Sequence, residues 1–156
     1  MGKYLCKIQT GKIEFPVWSA KLITDDSGAV TWFMGHVRKN NLIADDIRRE
    51  VNGITYECFE VLAEKILNEI CLEAQALYDK RLGLLVVHRT GYLNVGECSI
   101  LIGVSSIHRA PAYEASRYIL EQIKKRAPIW KLEHYDSGES KWLKGQSLLQ
   151  DDGMRL

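Results

Sequence analysis

Residues 108 to 133 read His-Arg-Ala-Pro-Ala-Tyr-Glu-Ala-Ser-Arg-Tyr-Ile-Leu-Glu-Gln-Ile-Lys-Lys-Arg-Ala-Pro-Ile-Trp-Lys-Leu-Glu: a helix, a strand and the proline that divides them. Pro111 fits the first turn of a helix, where its missing N–H leaves no bond unmade. Ala112, Ala115, Ile119 and Ile123 recur at helical spacing, so one face is expected to be buried. His108 and Arg109 fall just ahead of that helix, where free backbone N–H groups and the dipole favour an anion. Pro128 ends the helix, and Ile129-Trp130-Lys131-Leu132-Glu133 reads as a strand. The turn between them lets Lys124, on the last helical turn, and Lys131, on the returning strand, point into one space. Two lysines and an arginine suit an anionic substrate and proton transfer.

Outward from this stretch, strands and helices alternate without an internal linker. Tyr4 to Gln9 reads as a first strand, and Phe15 to Ile23, with Pro16 near its start, as a short helix. Asp25-Asp26-Ser27-Gly28 is turn chemistry. Ala29 to Val37, rich in Val, Thr, Trp and Phe, reads as a strand. Residues 39 to 52 are polar and are expected to form a mobile loop. Ile54 to Cys58 is a strand leading into the longest helix, where Phe59, Leu62, Ala63, Ile66, Leu67, Ile70, Ala74 and Leu77 make a continuous apolar face that reads as core. Gly83 to Val87 and Glu97 to Ser105 are apolar strands, and Asn94-Val95-Gly96 supplies the turn that pairs them antiparallel. Asp136-Ser137-Gly138 turns a further hairpin before Lys141-Trp142, and the tail from about Gly145 is polar. The expectation is one α+β domain over residues 1–156, mainly antiparallel sheet with packed helices.

At 156 residues the chain can bury one sizeable core, and 46% hydrophobic content argues against disorder. A net charge of +1 argues against a general nucleic-acid binder, which would be basic overall. Cys6, Cys58, Cys71 and Cys98 form no Cys-x-x-Cys pair and read as buried thiols rather than metal ligands. No apolar run nears the ~20 residues that span a bilayer, and the N-terminus lacks the apolar core of a signal peptide. A reducing, cytoplasmic setting with no membrane partner is expected. There is no Gly-rich phosphate loop, no Gly-x-Ser-x-Gly and no His-Glu-x-x-His, and the four histidines are scattered, so neither a metal nor a cofactor is expected.

Four groups remain as candidates, each with a structural reading beside the chemical one. In Phe33-Met34-Gly35-His36-Val37-Arg38, Gly35 allows close backbone approach, and Arg38 offers a planar fork for a phosphate or simply closes a strand. His88-Arg89-Thr90-Gly91 fits a structural pair: a hydrogen-bonded imidazole and a guanidinium on a carboxylate. Ser105 to Arg109 fits helix capping as well as anion binding. Lys124 and Lys125 fit dipole complementation at a helix end. Lys131, if crowded by cations or apolar surface, would lose pKa and exchange protons near neutrality.

Several of these segments together resemble one family, the large, catalytic subunit of molybdopterin synthase. Its motifs occur here in order over roughly residues 28 to 142: Gly28-Ala29, Phe33 to Arg38 (Phe-x-Gly-x-Val-Arg), Tyr56-Glu57, His88 to Gly91, Ser105 to Arg109, and Lys-x-x-x-Pro-x-Trp-Lys ending at Lys131. Cys58-Phe59 and Lys39-Asn40-Asn41 depart from the family pattern, the latter where Asp-His-Asn is usual. The resemblance implies an α/β hammerhead fold and sulfur transfer: conversion of cyclic pyranopterin monophosphate to the dithiolene molybdopterin, with two sulfurs supplied in succession. Each arrives as a thiocarboxylate on the C-terminal glycine of a small ubiquitin-like subunit. It implies Lys124 and Lys131 as catalytic residues, with Lys125, the neighbour of Lys124, as the alternative. Arg38, His108 and Arg109 would hold the phosphate and pterin, the His-Arg pair often reaching in from a neighbouring subunit. The backbone of His36 and Val37, and of Leu132 and Glu133, would complete the pocket. A dimer of large subunits with a small subunit at each far end, a heterotetramer, is implied as well. Two other classes stand beside this one: a scaffold that keeps the anion pocket without the reaction, against which the lysine pair argues, and a nucleic-acid-binding module, against which the neutral charge argues.

Overall fold

A computed structural model describes residues 2–43 and 47–143; the polar tail from Gly145 lies outside the described residues. The first half of the chain forms β1 (Tyr4–Gln9), α1 (Phe15–Ser19), β2 (Ala29–His36), β3 (Asn40–Ile43), β4 (Ile47–Cys58) and α2 (Glu60–Leu77). The second half forms β5 (Gly83–Arg89), β6 (Gly91–Asn94), β7 (Cys98–Ser106), α3 (Arg109–Arg126), β8 (Ile129–Tyr135) and β9 (Ser140–Leu143). One sheet has the order β1-β5-β7-β2, with β1 parallel to β5 and the other neighbours antiparallel. The other has the order β3-β4-β8-β9, with β6 also paired to β4, and is wholly antiparallel. This is the expected α+β class.

The first sheet is covered on both faces, which is why β5 and β7 read as near-continuous apolar runs. Alternation sends Leu84, Val86, Ile102 and Val104 toward α2 and α3, and Leu85, Val87 and Leu101 toward the α1 layer with Phe15 and Trp18. Gly103 on β7 lies under the Trp32 ring and the Leu22 side chain, leaving no room for a Cβ. Ala112, Ala115, Ile119 and Ile123 are all buried, as the spacing in α3 predicts. The face of α2 is rotated from the expected one. Ala63, Leu67, Ile70 and Ala74 are buried, but Cys71 and Gln75 join them, while Phe59 and Leu77 are 63% and 62% exposed. Phe59 is the extended N-cap, outside the helical period. Cys71 is drawn in by the Cys6 thiol at 3.5 Å, and Gln75 by the carbonyls of Gly2 and Leu82 that its amide reaches. Only Cys71 of the four free thiols is fully buried; the others are half-buried.

Three further expectations are corrected. Residues 39 to 52 are not simply a loop: β3 pairs with the start of β4, Asn40 opposite Glu50, and the Val51 N–H bonds the Lys39 carbonyl at 2.7 Å. Backbone pairing needs no apolar face, so a polar sequence hides such a hairpin. The Asn94-Val95-Gly96 turn joins β6, rather than β5, to β7, although β5 and β7 do pair antiparallel. The first helix stops at Ser19, giving way to turns that reach Leu22. Gly96 and Gly138, at φ +86 and +81, close the turns before β7 and β9. No described helix is long and apolar enough to cross a membrane.

Candidate active site

β8 is the strand on which the site is hung. Lys131 lies directly opposite Tyr56 of β4, and its Nζ stands 5.8 Å from the centre of that ring. The Tyr56 ring in turn meets the His88 imidazole edge to face, 5.3 Å between centres. Pro128 turns the chain from α3 into β8, as the sequence predicts, so Lys124 at the end of α3 and Lys131 line the same cavity with Tyr56, His88 and Ser99. Ile123, Ile129 and Leu143 form its apolar wall. Its volume is about 250 Å³, just under the ~300 Å³ at which pockets for small organic ligands begin.

The electrostatics favour proton exchange at Lys131. Its ammonium is pushed below the usual lysine range, first by the protein packed around it, then by Lys124 and Arg38; Glu133 pulls the other way. Lys131 is exposed as a residue while lining the cavity, so the depression comes from the walls of an open cavity rather than from a sealed core. Glu133 shares the Lys131 face of β8, is 2% exposed and accepts the Tyr135 hydroxyl at 2.8 Å. Leu132 alternates to the opposite face, half-buried against Thr55 and Trp142 as strand partners. Lys125 is exposed and does not line the cavity.

Arg38 follows β2, exposed, and is near enough to act on Lys131. His36 is exposed with Nδ1 2.9 Å from the Gly96 carbonyl oxygen. Val37 is buried, its N–H bonded to Glu97 and its carbonyl to Gly96, so this segment is anchored by its backbone. His108 and Arg109 stand at the far end of α3, exposed, with His108 beside the Asp79–Arg81 pair. Fifteen residues separate Arg109 from Lys124, about 22 Å at ~1.5 Å per residue of helix. Within one chain the His-Arg pair and the lysines do not share a cavity.

His88 and Tyr56 are the residues that sequence reasoning left out of the site. His88-Arg89 does make the structural contacts expected of it: the imidazole bonds the Arg89 carbonyl at 2.9 Å, and the guanidinium meets Glu97 at 3.4 Å and the Thr10 carbonyl at 3.0 Å. The same imidazole nevertheless forms part of the cavity wall. Among the described residues no group of three or more His, Cys, Asp or Glu side chains could hold a metal ion.

Comparison with known proteins places this geometry. The MoaE protein family profile matches residues 8–126. The molybdopterin synthase catalytic subunit of Synechococcus elongatus is 46% identical over 134 residues, 85% of this chain and 78% of that one. The crystal structure of molybdopterin synthase from Staphylococcus aureus superposes with a TM-score of 0.78 at 34% identity, covering 88% of this chain and 95% of that one. A protein–protein complex of subunits 1 and 2 of molybdopterin-converting factor from Helicobacter pylori shares the fold, with a TM-score of 0.70 at 23% identity over 91% and 92% of the two chains. With a family match over most of its length and a relative this similar, the chain belongs to the MoaE family, that of the molybdopterin synthase catalytic subunits.

Proposed function

We propose that this chain converts cyclic pyranopterin monophosphate into molybdopterin in the cytoplasm, taking two sulfurs in turn from the thiocarboxylated C-terminal glycine of a small partner subunit. The observation that carries the reading is the convergence of Lys124 and Lys131 on one cavity, with the Lys131 ammonium depressed by its surroundings. A lysine lowered this way gives up its proton more readily than an ordinary one, which suits proton transfer at the carbons that accept sulfur. Lys124 sits where it steadies the anionic thiocarboxylate, and Arg38 offers a fork to the phosphate. The backbone about His36, Val37, Leu132 and Glu133 frames the pocket. His108 and Arg109 act from a second copy of the chain, because their own cavity is a helix length away. The partner assignment is supported by the two-subunit complex of the Helicobacter pylori relative.

The test is reconstitution with cyclic pyranopterin monophosphate and a thiocarboxylated small subunit, following dithiolene product. Product from the native chain, lost by a factor of about 100 or more in Lys131→Ala, is expected for a general acid or base. Tight binding of the thiocarboxylated partner with no product would instead make the chain a scaffold.

A further inference from the structure

His88 lines the cavity, and the proposed reaction leaves its chemistry unused. It is 6% exposed, near the end of β5, and packs edge to face on Tyr56. Its Nδ1 lies 2.9 Å from the Arg89 carbonyl oxygen. A carbonyl only accepts, so Nδ1 carries the proton and Nε2 presents a lone pair. Burial pushes the imidazole down to about 4, with Lys131 adding to the effect, so the ring is neutral at physiological pH and this tautomer persists. Among the described residues, Gln75 Oε1 is the sealed side-chain oxygen or nitrogen that lacks a partner. Nε2 has no partner among the described residues and is not sealed, so it opens onto the cavity that the ring lines.

The neighbouring groups sharpen what that lone pair is for. The ammonium groups of Lys124 and Lys131 can only donate, and the Ser99 hydroxyl gives its proton to the Gly35 carbonyl at 3.2 Å. The two ammonium groups recognise the anionic parts of a substrate and offer nothing to its N–H groups, for which this wall has the lone pairs left on Ser99 Oγ and on His88 Nε2. A fused pterin carries N–H donors along its pyrimidine edge, and one of them buried without an acceptor would oppose binding. His88 supplies a fixed acceptor in this wall.

We propose that His88 is a substrate-contacting, specificity-determining residue whose Nε2 accepts a hydrogen bond from an N–H of the pterin ring and so selects the edge of the heterocycle that enters. This rests on the pterin substrate proposed above. The contact orients the ring and is made in the ground state and the transition state alike, so its loss acts on KM more than on kcat.

Two experiments test it in the assembled enzyme with its small subunit. In protein labelled with ¹⁵N-histidine, cyclic pyranopterin monophosphate added without a sulfur donor should move the His88 Nε2 resonance in the direction of hydrogen-bond acceptance, with Nδ1 still protonated. An unmoved Nε2 at saturating substrate overturns the proposal, and this measurement needs no variant. In steady state, His88→Phe keeps a packed ring and removes the acceptor; KM should rise about 10- to 100-fold with kcat changed by less than about threefold. His88→Gln, whose side-chain oxygen accepts near the Nε2 position, should recover most of the loss. A folded His88→Phe with native KM, or a His88→Gln as impaired as His88→Phe, refutes the acceptor role. Native enzyme that neither binds nor converts the pterin refutes the proposed function itself, whereas native turnover with an unmoved Nε2 refutes this inference alone.

Discussion

Arg126 closes the last turn of α3 onto α2, two residues beyond Lys124. Its guanidinium grips Glu73 in bidentate fashion, at 2.6 and 3.0 Å, with Glu69 at 3.7 Å, and the Tyr118 hydroxyl donates to the same Glu73 carboxylate at 2.9 Å. The guanidinium holds Glu73 below the usual carboxylate range. Replacing Arg126 by Met keeps the stem and removes the fork. A fully buried pair broken in this way would cost ~3–5 kcal/mol, but here the side chains are 29% and 40% exposed. Solvent screening brings the expected loss down to about 1–2 kcal/mol. The sign with pH follows from the lowered carboxyl. The stabilisation is present above the unfolded value near 4.5 and is lost as pH falls through the lower folded value. Urea unfolding of both proteins at pH 7 and at pH 3 reads this directly, and the gap should narrow in the acid and in ~1 M salt. Turnover should fall about tenfold, through a loosened Lys124. A loss above ~3 kcal/mol would mean a desolvated pair and refute the screening argument. Native turnover in the destabilised variant would show that Pro128 and β8 hold Lys124 without the clamp.

Two further predictions concern stability. His88 has a folded value of about 4 against 6.5 unfolded; the unfolded chain binds the extra proton, so acidification from pH 6.5 toward 4 should remove about 3 kcal/mol through this residue. Unfolding curves of the native chain and His88→Gln should converge over that window, and parallel curves would show that the imidazole is not held neutral. Gly103→Ala drives a methyl into the Trp32 ring and Leu22, an overpacking that should cost about 3 kcal/mol; a thermal midpoint within a degree of native would show that Trp32 moves aside freely.

What the sequence made legible was local. The lysine pair was visible because Lys124, Pro128 and Lys131 lie within eight residues, and a helix end, a proline and a strand leave few ways to join them. The buried face of α3 followed from its period alone. Tyr56 and His88 were not visible as site residues, because Lys131 meets Tyr56 only through the β4–β8 register, across 75 positions of chain. The β3–β4 hairpin escaped because its pairing runs through backbone groups that carry no side-chain signature. The rotation of α2 escaped because a thiol contact and a glutamine bonded to two carbonyls decided it, and neither belongs to an apolar stripe. The distance between His108-Arg109 and the lysines is different: it could be computed from the sequence, since fifteen helical residues at ~1.5 Å each cannot bring the ends of α3 together.

That helix length has a consequence that mixing experiments can reach. If each site takes Lys131 from one chain and Arg109 from its two-fold partner, Lys131→Ala and Arg109→Ala are defects in different halves of one site. Each homodimer has two broken sites. In the mixed dimer, the site built on the Lys131→Ala chain also receives the defective Arg109 and carries both lesions. The other site has a native Lys131 and receives a native Arg109 from the partner, so it is whole. Random exchange of equal amounts makes half the dimers mixed, each with one working site of two, so about one quarter of native turnover should return. Each variant alone stays inactive, and mixing either with itself changes nothing. If Arg109 served the lysine cavity of its own chain, the mixed dimer would carry one lesion in every site and no activity would return. Recovery near a quarter after exchange, absent when the variants are mixed without exchange, therefore separates a shared site from a self-contained one without any structure of the complex.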